Sequence, residues 1–367
     1  MQRTPVLPLD GTGLEALDLD VGTLRAGATA DPAAEPEGYL VAMDGGVRIH
    51  FLDWGGPVPR DGTAPAGVSP DDAGISHGGV PGILLIHGLA RTAWSWAPVA
   101  RLLRADARVA GMDLRGHGLS DAPTHGYDPD QLAEDAIAVA EGAGLLAVEA
   151  EPLPAGSSSE RRFVVVGHGY GAIVAAWAAN ALGDRCSGLV LVDGGWTDLA
   201  AATEMTPDEW LAAIAEPPEV LASMAAWLAD REAFDPASWG PDPERAARAE
   251  VVETAAGRVK LAIHGHALAA SVRAMWTFEP GAVLPAVEAG IVALAARDDD
   301  AGRHLAALRA VAALRASAGR PAVRAAGLPE LGHDLPRHVP GVVAAAILSA
   351  ARGTPGTDRG TPAAASG

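Results

Sequence analysis

The sequence predicts an α/β fold: a mostly parallel sheet with helices on both faces, interrupted once by a helical insert. Three observations predict it. Apolar runs such as "GILLIHG", the start of "VVVGHGYGAIVAA" and "GLVLVDGG" are short and continuous, as in strands buried on both faces. Amphipathic helical stretches separate them. The alternation stops after Trp196 and resumes beyond Pro285, with helix signals and no convincing strand between.

In chain order, residues 1–37 are rich in Pro, Gly and Ala without periodicity and read as a loose extension. "YLVAMDGGVRIHFLDWG" is two β-type runs around Asp44-Gly45-Gly46, a hairpin signal. Residues 57–80 form a Gly/Pro/Asp-rich loop. A buried strand then covers Ile83 to Ile86, followed by the helix "TAWSWAPVARLLRAD", the strand "ARVAGMDLRG" and the helix "DPDQLAEDAIAVAEGAGLL". Residues 151–161 are a polar insertion. The core's first part thus runs over 38–196. The helical insert, expected to act as a lid, spans 197–285. Within it, Thr206, Pro207 and Glu209 make a capping box with proline at the first helical position. "PPEVLASMAAWLAD" and "DPERAARAEVVETAAG" read as helices as well. The second part of the core, 286–351, holds "GIVALAA", "AGRHLAALRAVAALRAS", "AVRAAGL" and "RHVPGVVAAAILSA"; residues 352–367 read as a disordered tail.

Composition bounds the function. Of 367 residues, 49% are hydrophobic and 20% charged, enough for a sizeable core. A formal net charge of −19 disfavours nucleic acid and anionic membrane surfaces as partners. Cys186 is the single cysteine, so no intrachain disulfide forms, which fits the cytoplasm. "MQRTPVLPLDGTG" lacks the apolar run of a secretory signal, and no stretch is apolar enough to span a bilayer. The partner expected is a small molecule.

The stretch "VVVGHGYGAIVAA" fits two motifs. As G-x-G-x-x-A, with Gly167, Gly169 and Ala172, it is a dinucleotide fingerprint; Asp193, ending the next strand, would then bind the ribose of NAD(P) in an oxidoreductase. As G-x-S-x-G it is a nucleophile elbow with glycine in place of serine. Four other segments bear on the choice. His87-Gly88-Leu89-Ala90 ends a buried strand where a backbone N–H can stabilise an oxyanion. "DLRGHGLSDAP" packs Arg115, His117, Ser120 and Asp121 into a tight loop, best read as a hydrogen-bonded scaffold. "ARDDDAG" offers Asp298, Asp299 and Asp300 to orient a histidine, and "LGHDLPRHVP" places His333 after the last strand. His264 and His266 have no further ligand at metal spacing, so neither metal nor cofactor is expected. Tryptophans 94, 96, 196, 210, 227, 239 and 276 suit an apolar pocket together and core packing individually.

Taken in order, His87-Gly88, "DLRGHGLSD", "GHGYG", "DDD" and "GHDLPRH" resemble the α/β-hydrolase superfamily, in its lidded, esterase-like and epoxide-hydrolase-like members, over residues 39–351. The resemblance implies an eight-stranded, mostly parallel sheet with a lid after the sixth strand. It also implies a base at His333, an acid at Asp299 with Asp298 and Asp193 as alternatives, oxyanion donors at the Leu89 and Tyr170 N–H groups, and a nucleophile at Gly169. Glycine has no side chain, so the triad is degenerate and the usual covalent route is closed. The chain then reads as a hydrolase of a small, apolar, ester-like substrate acting through a His-activated water. The alternative is a small-ligand-binding protein on the same scaffold.

Overall fold

The structure, a computed structural model, describes residues 13–17, 19, 35–57, 80–146, 162–297 and 302–352. The chain runs through β1 (Leu14–Ala16), β2 (Glu37–Ala42), β3 (Arg48–Gly55), β4 (Gly82–Ile86), α1 (Ala97–Leu103), β5 (Arg108–Met112), α2 (Pro129–Gly142), β6 (Phe163–His168), α3 (Tyr170–Leu182) and β7 (Gly188–Val192). The insert follows with α4 (Leu199–Ala202), α5 (Pro207–Ala213), α6 (Met224–Phe234), α7 (Pro241–Ala249), β8 (Val251–Glu253), β9 (Val259–Leu261), α8 (Gly265–Trp276) and α9 (Pro280–Ala286). Then come β10 (Gly290–Ala295), α10 (Arg303–Ser317), β11 (Val323–Gly327), α11 (Leu335–His338) and α12 (Pro340–Ala351).

Among the described residues, nine strands form one sheet in the order β1-β11-β10-β7-β6-β4-β5-β3-β2. Only the β2–β3 and β3–β5 pairs are antiparallel. The β2–β3 hairpin closes at Gly45 and Gly46, both at positive φ, where glycine carries no Cβ penalty. Side-chain alternation splits the core into two layers. Leu84 and Ile86 pack with α2 and α3 on one face, Ile83 and Leu85 with α1 and α12 on the other. All four are fully buried. Each such side chain contributes about 1.5–3 kcal/mol relative to exposure, so the sheet is the rigid element from which strand-end residues project.

Three expectations need correction. The sheet has nine strands rather than eight. The added one, β1, lies inside the segment read as a loose extension; it pairs in parallel with β11 and buries Leu14. The insert is not purely helical: β8 and β9 form a small antiparallel hairpin, so the run "DPERAARAEVVETAAG" stops being helical after Ala249. The capping box at α5 is present, with Thr206 N–H donating to Glu209 Oε2 at 2.8 Å. The polar insertion at 151–161, most of the 57–80 loop and all but the first residue of the 352–367 tail lie outside the described residues. No described helix is long and apolar enough to cross a membrane.

Candidate active site

The turn between β6 and α3 answers which motif the glycines serve. Gly169 has φ 54° and ψ −115°, a left-handed conformation forced by the reversal from strand to helix. Its neighbours are glycine because backbone presses on backbone. A Cβ on Gly167 would collide with the Gly171 carbonyl, and one on Gly171 with the carbonyls of Ile86 and His87. A Cβ on Gly194, after β7, would lie 2.8 Å from Gly169 Cα. At Gly169 itself a Cβ would meet only a side chain, with His333 Nε2 at 2.9 Å. The imidazole therefore fills the space above the turn, where a dinucleotide pyrophosphate would have to approach the helix N-terminus.

Gly171 also brings the end of β4 against α3, so the His87-Gly88 turn abuts the elbow. His87 is fully buried and holds that turn: Nδ1–H donates to the Gly88 carbonyl at 2.7 Å, and Nε2 accepts the Leu114 N–H at 3.0 Å. Ala90 follows at φ 58°. The N–H of Leu89, and that of Tyr170 at the start of α3, donate to no backbone carbonyl among the described residues. The first N–H groups of a helix are orphaned by geometry and carry the positive end of its dipole. The Tyr170 N–H thus stands next to Gly169 in the chain, and the turn that carries Leu89 lies against His168 through Gly88.

His333 lies in the segment between β11 and α11. Its Nδ1–H donates to Asp193 Oδ2 at 2.7 Å, which leaves the Nε2 lone pair facing Gly169. The side chain of His333 is 62% exposed and that of Asp193 only 9%. Asp193 follows β7 at φ 45°; it and Ala90, just after the His87-Gly88 turn, are the non-glycine residues at positive φ among those described. Such strain costs of order 1–3 kcal/mol and persists where the surroundings enforce it. Here the Ala296 N–H donates to Asp193 Oδ1 at 2.8 Å, and His304 Nε2 lies 3.3 Å from the same oxygen. Burial pushes the Asp193 carboxyl up, but the contacts with His304, His333 and the Ala296 N–H more than offset it and hold it well below the usual range.

A second imidazole backs the first. His168, beside Gly169, stacks on His333 with ring centroids 4.5 Å apart and donates from Nε2 to the His333 carbonyl at 2.8 Å. Burial, then the neighbouring His333, pushes its pKa down to about 4, so it stays neutral near pH 7. The segment after His333 is tied to the insert. Arg91 bridges Glu250 at 2.8 Å and Asp334 at 3.3 Å, Arg337 donates to Ser238 Oγ at 2.7 Å, and His338 Nδ1 lies 2.8 Å from Asp235 Oδ2. A cleft of about 120 Å³ is lined by Arg91, Trp94, Trp239, Asp334 and Arg337, and neither His333 nor Asp193 lines it.

The structure brings Gly169, His333 and Asp193 together, with Tyr170 next to Gly169 in the chain. The carboxylate holding His333 is Asp193, which corrects the preference for Asp299; Asp298 and Asp299 lie outside the described residues. The "DLRGHGLSDAP" loop is a scaffold, with Arg115 paired to the buried Asp135 at 2.6 Å and Ser120 Oγ donating to the Asp113 carbonyl at 2.7 Å. Trp96, Trp196 and Trp227 are core residues. His266 Nε2 lies 3.2 Å from the Ala122 and Pro123 carbonyls, and no cluster of metal-ligating side chains occurs among the described residues. His304 escaped sequence reasoning. It sits in the first turn of α10, stacked on Trp196 at 4.6 Å, and no spacing rule ties it to the end of β7.

A strand–elbow–helix turn with a histidine held by a strand-end carboxylate facing it is an arrangement of the hydrolase class of α/β proteins. A family profile described as the alpha/beta hydrolase family matches residues 83–346, and the chain belongs to that family. Epoxide hydrolase 4 of Mus musculus is 26% identical over 147 residues, 40% of this chain and 31% of that protein. The bifunctional esterase/perhydrolase DCH of Acinetobacter calcoaceticus is 33% identical over 109 residues, 29% of this chain and 32% of that protein. The match thus spans about a third of the length of these curated relatives. Among solved structures, an E-2-(acetamidomethylene)succinate hydrolase aligns with TM-score 0.60 at 18% identity, over 86% of this chain and 98% of that one. The thioesterase domain of a curacin biosynthetic pathway aligns with TM-score 0.57 at 19% identity, over 85% and 99%. These two likenesses carry the fold.

Proposed function

We propose that the protein hydrolyses a small, largely apolar, ester-like substrate without a side-chain nucleophile. His333, held by Asp193, takes a proton from a water lying against Gly169, and that water attacks the acyl carbon. The developing oxyanion is stabilised by the N–H groups of Leu89 and Tyr170. The insert closes over the site as a lid. The observation that carries this reading is the His333 geometry, with Nδ1 on Asp193 at 2.7 Å and Nε2 turned to the elbow. The named activities of the relatives, an esterase and an epoxide hydrolase, both open a C–O bond and support it.

The test is turnover of a panel of short-chain aryl esters by the purified protein and by His333→Ala. General-base catalysis contributes about 10²–10⁴-fold, so the variant should lose roughly that factor in kcat. The bare Gly169 favours one second reading, a binding protein that retains the pocket. In that case the panel gives no turnover above buffer, and an ester analogue binds the natural protein and the variant equally.

A further inference from the structure

We infer that, towards acyl groups carrying a good leaving group, the His333 imidazole is itself the nucleophile and forms an acyl-imidazole through Nε2. The inference rests on the hydrolase reading and goes beyond its water route. Its geometric ground is the vacancy at the elbow. Any L side chain at Gly169 would place Cβ 2.9 Å from His333 Nε2 and 3.3 Å from Cε1, the first nearer than Cβ contacts in folded proteins allow. The ring therefore stands inside the space that the side chain of an ordinary elbow nucleophile would claim. A carbonyl seated on the Leu89 and Tyr170 N–H groups presents its carbon to the nearest lone pair, and that lone pair is Nε2.

The rest of the site suits a covalent imidazole. Nδ1–H on Asp193 fixes the tautomer and leaves Nε2 unprotonated. The buried carboxylate opposes the positive charge that develops on the ring as the N–C bond forms. His168, stacked at 4.5 Å, is held neutral by burial and does not repel that charge. His333 is 62% exposed, so water reaches the acyl group afterwards.

The steps balance without a further reactant. The Nε2 lone pair attacks the acyl carbon, and the electrons of the C=O bond move onto the oxyanion. Collapse re-forms the carbonyl and expels the aryloxide or thiolate. Water then adds to the acyl-imidazolium, imidazole departs, and the carboxylic acid and one proton are released. The leaving group decides the route. A phenolate poised for departure leaves before the imidazole does, whereas an alkoxide stays while the imidazole is expelled. Alkyl esters therefore keep the water route.

The test uses para-nitrophenyl cinnamate, because cinnamoyl-imidazole has an absorption band distinct from that of a cinnamoyl ester. On rapid mixing with the natural protein, we expect a burst of nitrophenolate equal to the protein present. The cinnamoyl-imidazole band should rise with it and then decay. His333→Gln, close in shape but not nucleophilic, and His333→Ala should both lose the band and about 10² or more of the rate. Peptide mapping should place the acyl group on His333 and not on Lys260, the single lysine. His333-dependent turnover with no burst, no band and a full solvent deuterium isotope effect overturns the inference and leaves the water route standing. A burst that survives in both variants also overturns it. No turnover above buffer by any of the three proteins, with no burst, removes the hydrolase reading itself.

Discussion

Two aspartate–histidine couples stand at strand ends in this protein, and only one has the makings of a catalytic site. Asp113, after β5, accepts His50 Nδ1–H at 2.8 Å and the backbone N–H groups of Ala93 at 2.7 Å and Leu119 at 3.0 Å. Asp193, after β7, accepts His333 Nδ1–H at 2.7 Å and the Ala296 N–H at 2.8 Å. Both imidazoles even turn Nε2 towards a glycine: a Cβ on Gly38 would lie 3.1 Å from His50, one on Gly169 2.9 Å from His333. The difference is access. His50 is 8% exposed and hydrogen-bonded to the buried Asp113, whereas His333 is 62% exposed beside the start of α3. Pairing orients an imidazole; open space lets it meet a substrate.

Separating the two couples gives the largest expected effect. Asp193→Asn should lower aryl-ester turnover by about 10²–10⁴-fold, because the amide no longer fixes the tautomer or supports the imidazolium. Its melting temperature should fall far less than that of the Asp113 variant. Comparable losses in Asp113→Asn and Asp193→Asn, assayed well below both melting points, would erase the distinction.

Asp113→Ala should instead act on stability. It leaves His50 and two buried N–H groups without their acceptor, and breaking a buried pair costs about 3–5 kcal/mol. Thermal unfolding should shift down by roughly 5–15 °C. A shift within the error of the measurement would show that the loop is not the scaffold its hydrogen bonds suggest.

Gly169→Ser sharpens the comparison from the other side. The serine Cβ would start 2.9 Å from His333 Nε2, so the exposed ring must swing back before a hydroxyl can donate to it. Positive φ at a non-glycine residue adds about 1–3 kcal/mol of strain. Losing a triad serine costs about 10⁶-fold, so partial restoration should raise aryl-ester turnover roughly 10–10³-fold. A fluorophosphonate probe should label the variant and not the natural protein. A folded variant that takes up no probe would show that His333 cannot retreat.

The smallest effect is on acid stability. The folded-state pKa of His168 is depressed to about 4, against about 6.5 for an unfolded histidine. The unfolded chain therefore takes up the proton first. This contribution is full above pH ~6.5 and is lost as pH falls towards ~4, by roughly 3 kcal/mol at most. Melting temperature plotted against pH should fall less steeply over that window in His168→Gln. An unchanged slope would mean that other buried groups, such as His117 with its pKa near 3, dominate.

The order of the elements was legible because buried strands and glycine turns leave local marks: "VVVGHGYG" has only one economical geometry. The acid was not, for a physical reason. β7 and β10 are neighbours, with Val192 opposite Leu294, and Asp193 follows one of these strands in sequence while the "DDD" run follows the other. Sequence order cannot say which of two adjacent strand ends reaches the imidazole. β1 and the β8–β9 hairpin are only three residues per strand, too short for a period-2 pattern, and depend on partners far away or on a turn within an alanine-rich helical run. His304 reaches Asp193 only through the packing of α10, which no local pattern encodes.

The crowding at the elbow has an evolutionary consequence. Gly167, Gly171 and Gly194 face backbone atoms that cannot yield, so drift at these positions is closed by loss of the fold. Gly169 faces only a side chain, the exposed His333 ring. Two of the four glycine codons lie one base change from serine, so from those codons a single mutational step gives the turn a hydroxyl. The scaffold thus tolerates change at Gly169 at a cost of strain and a displaced ring, where its glycine neighbours tolerate none.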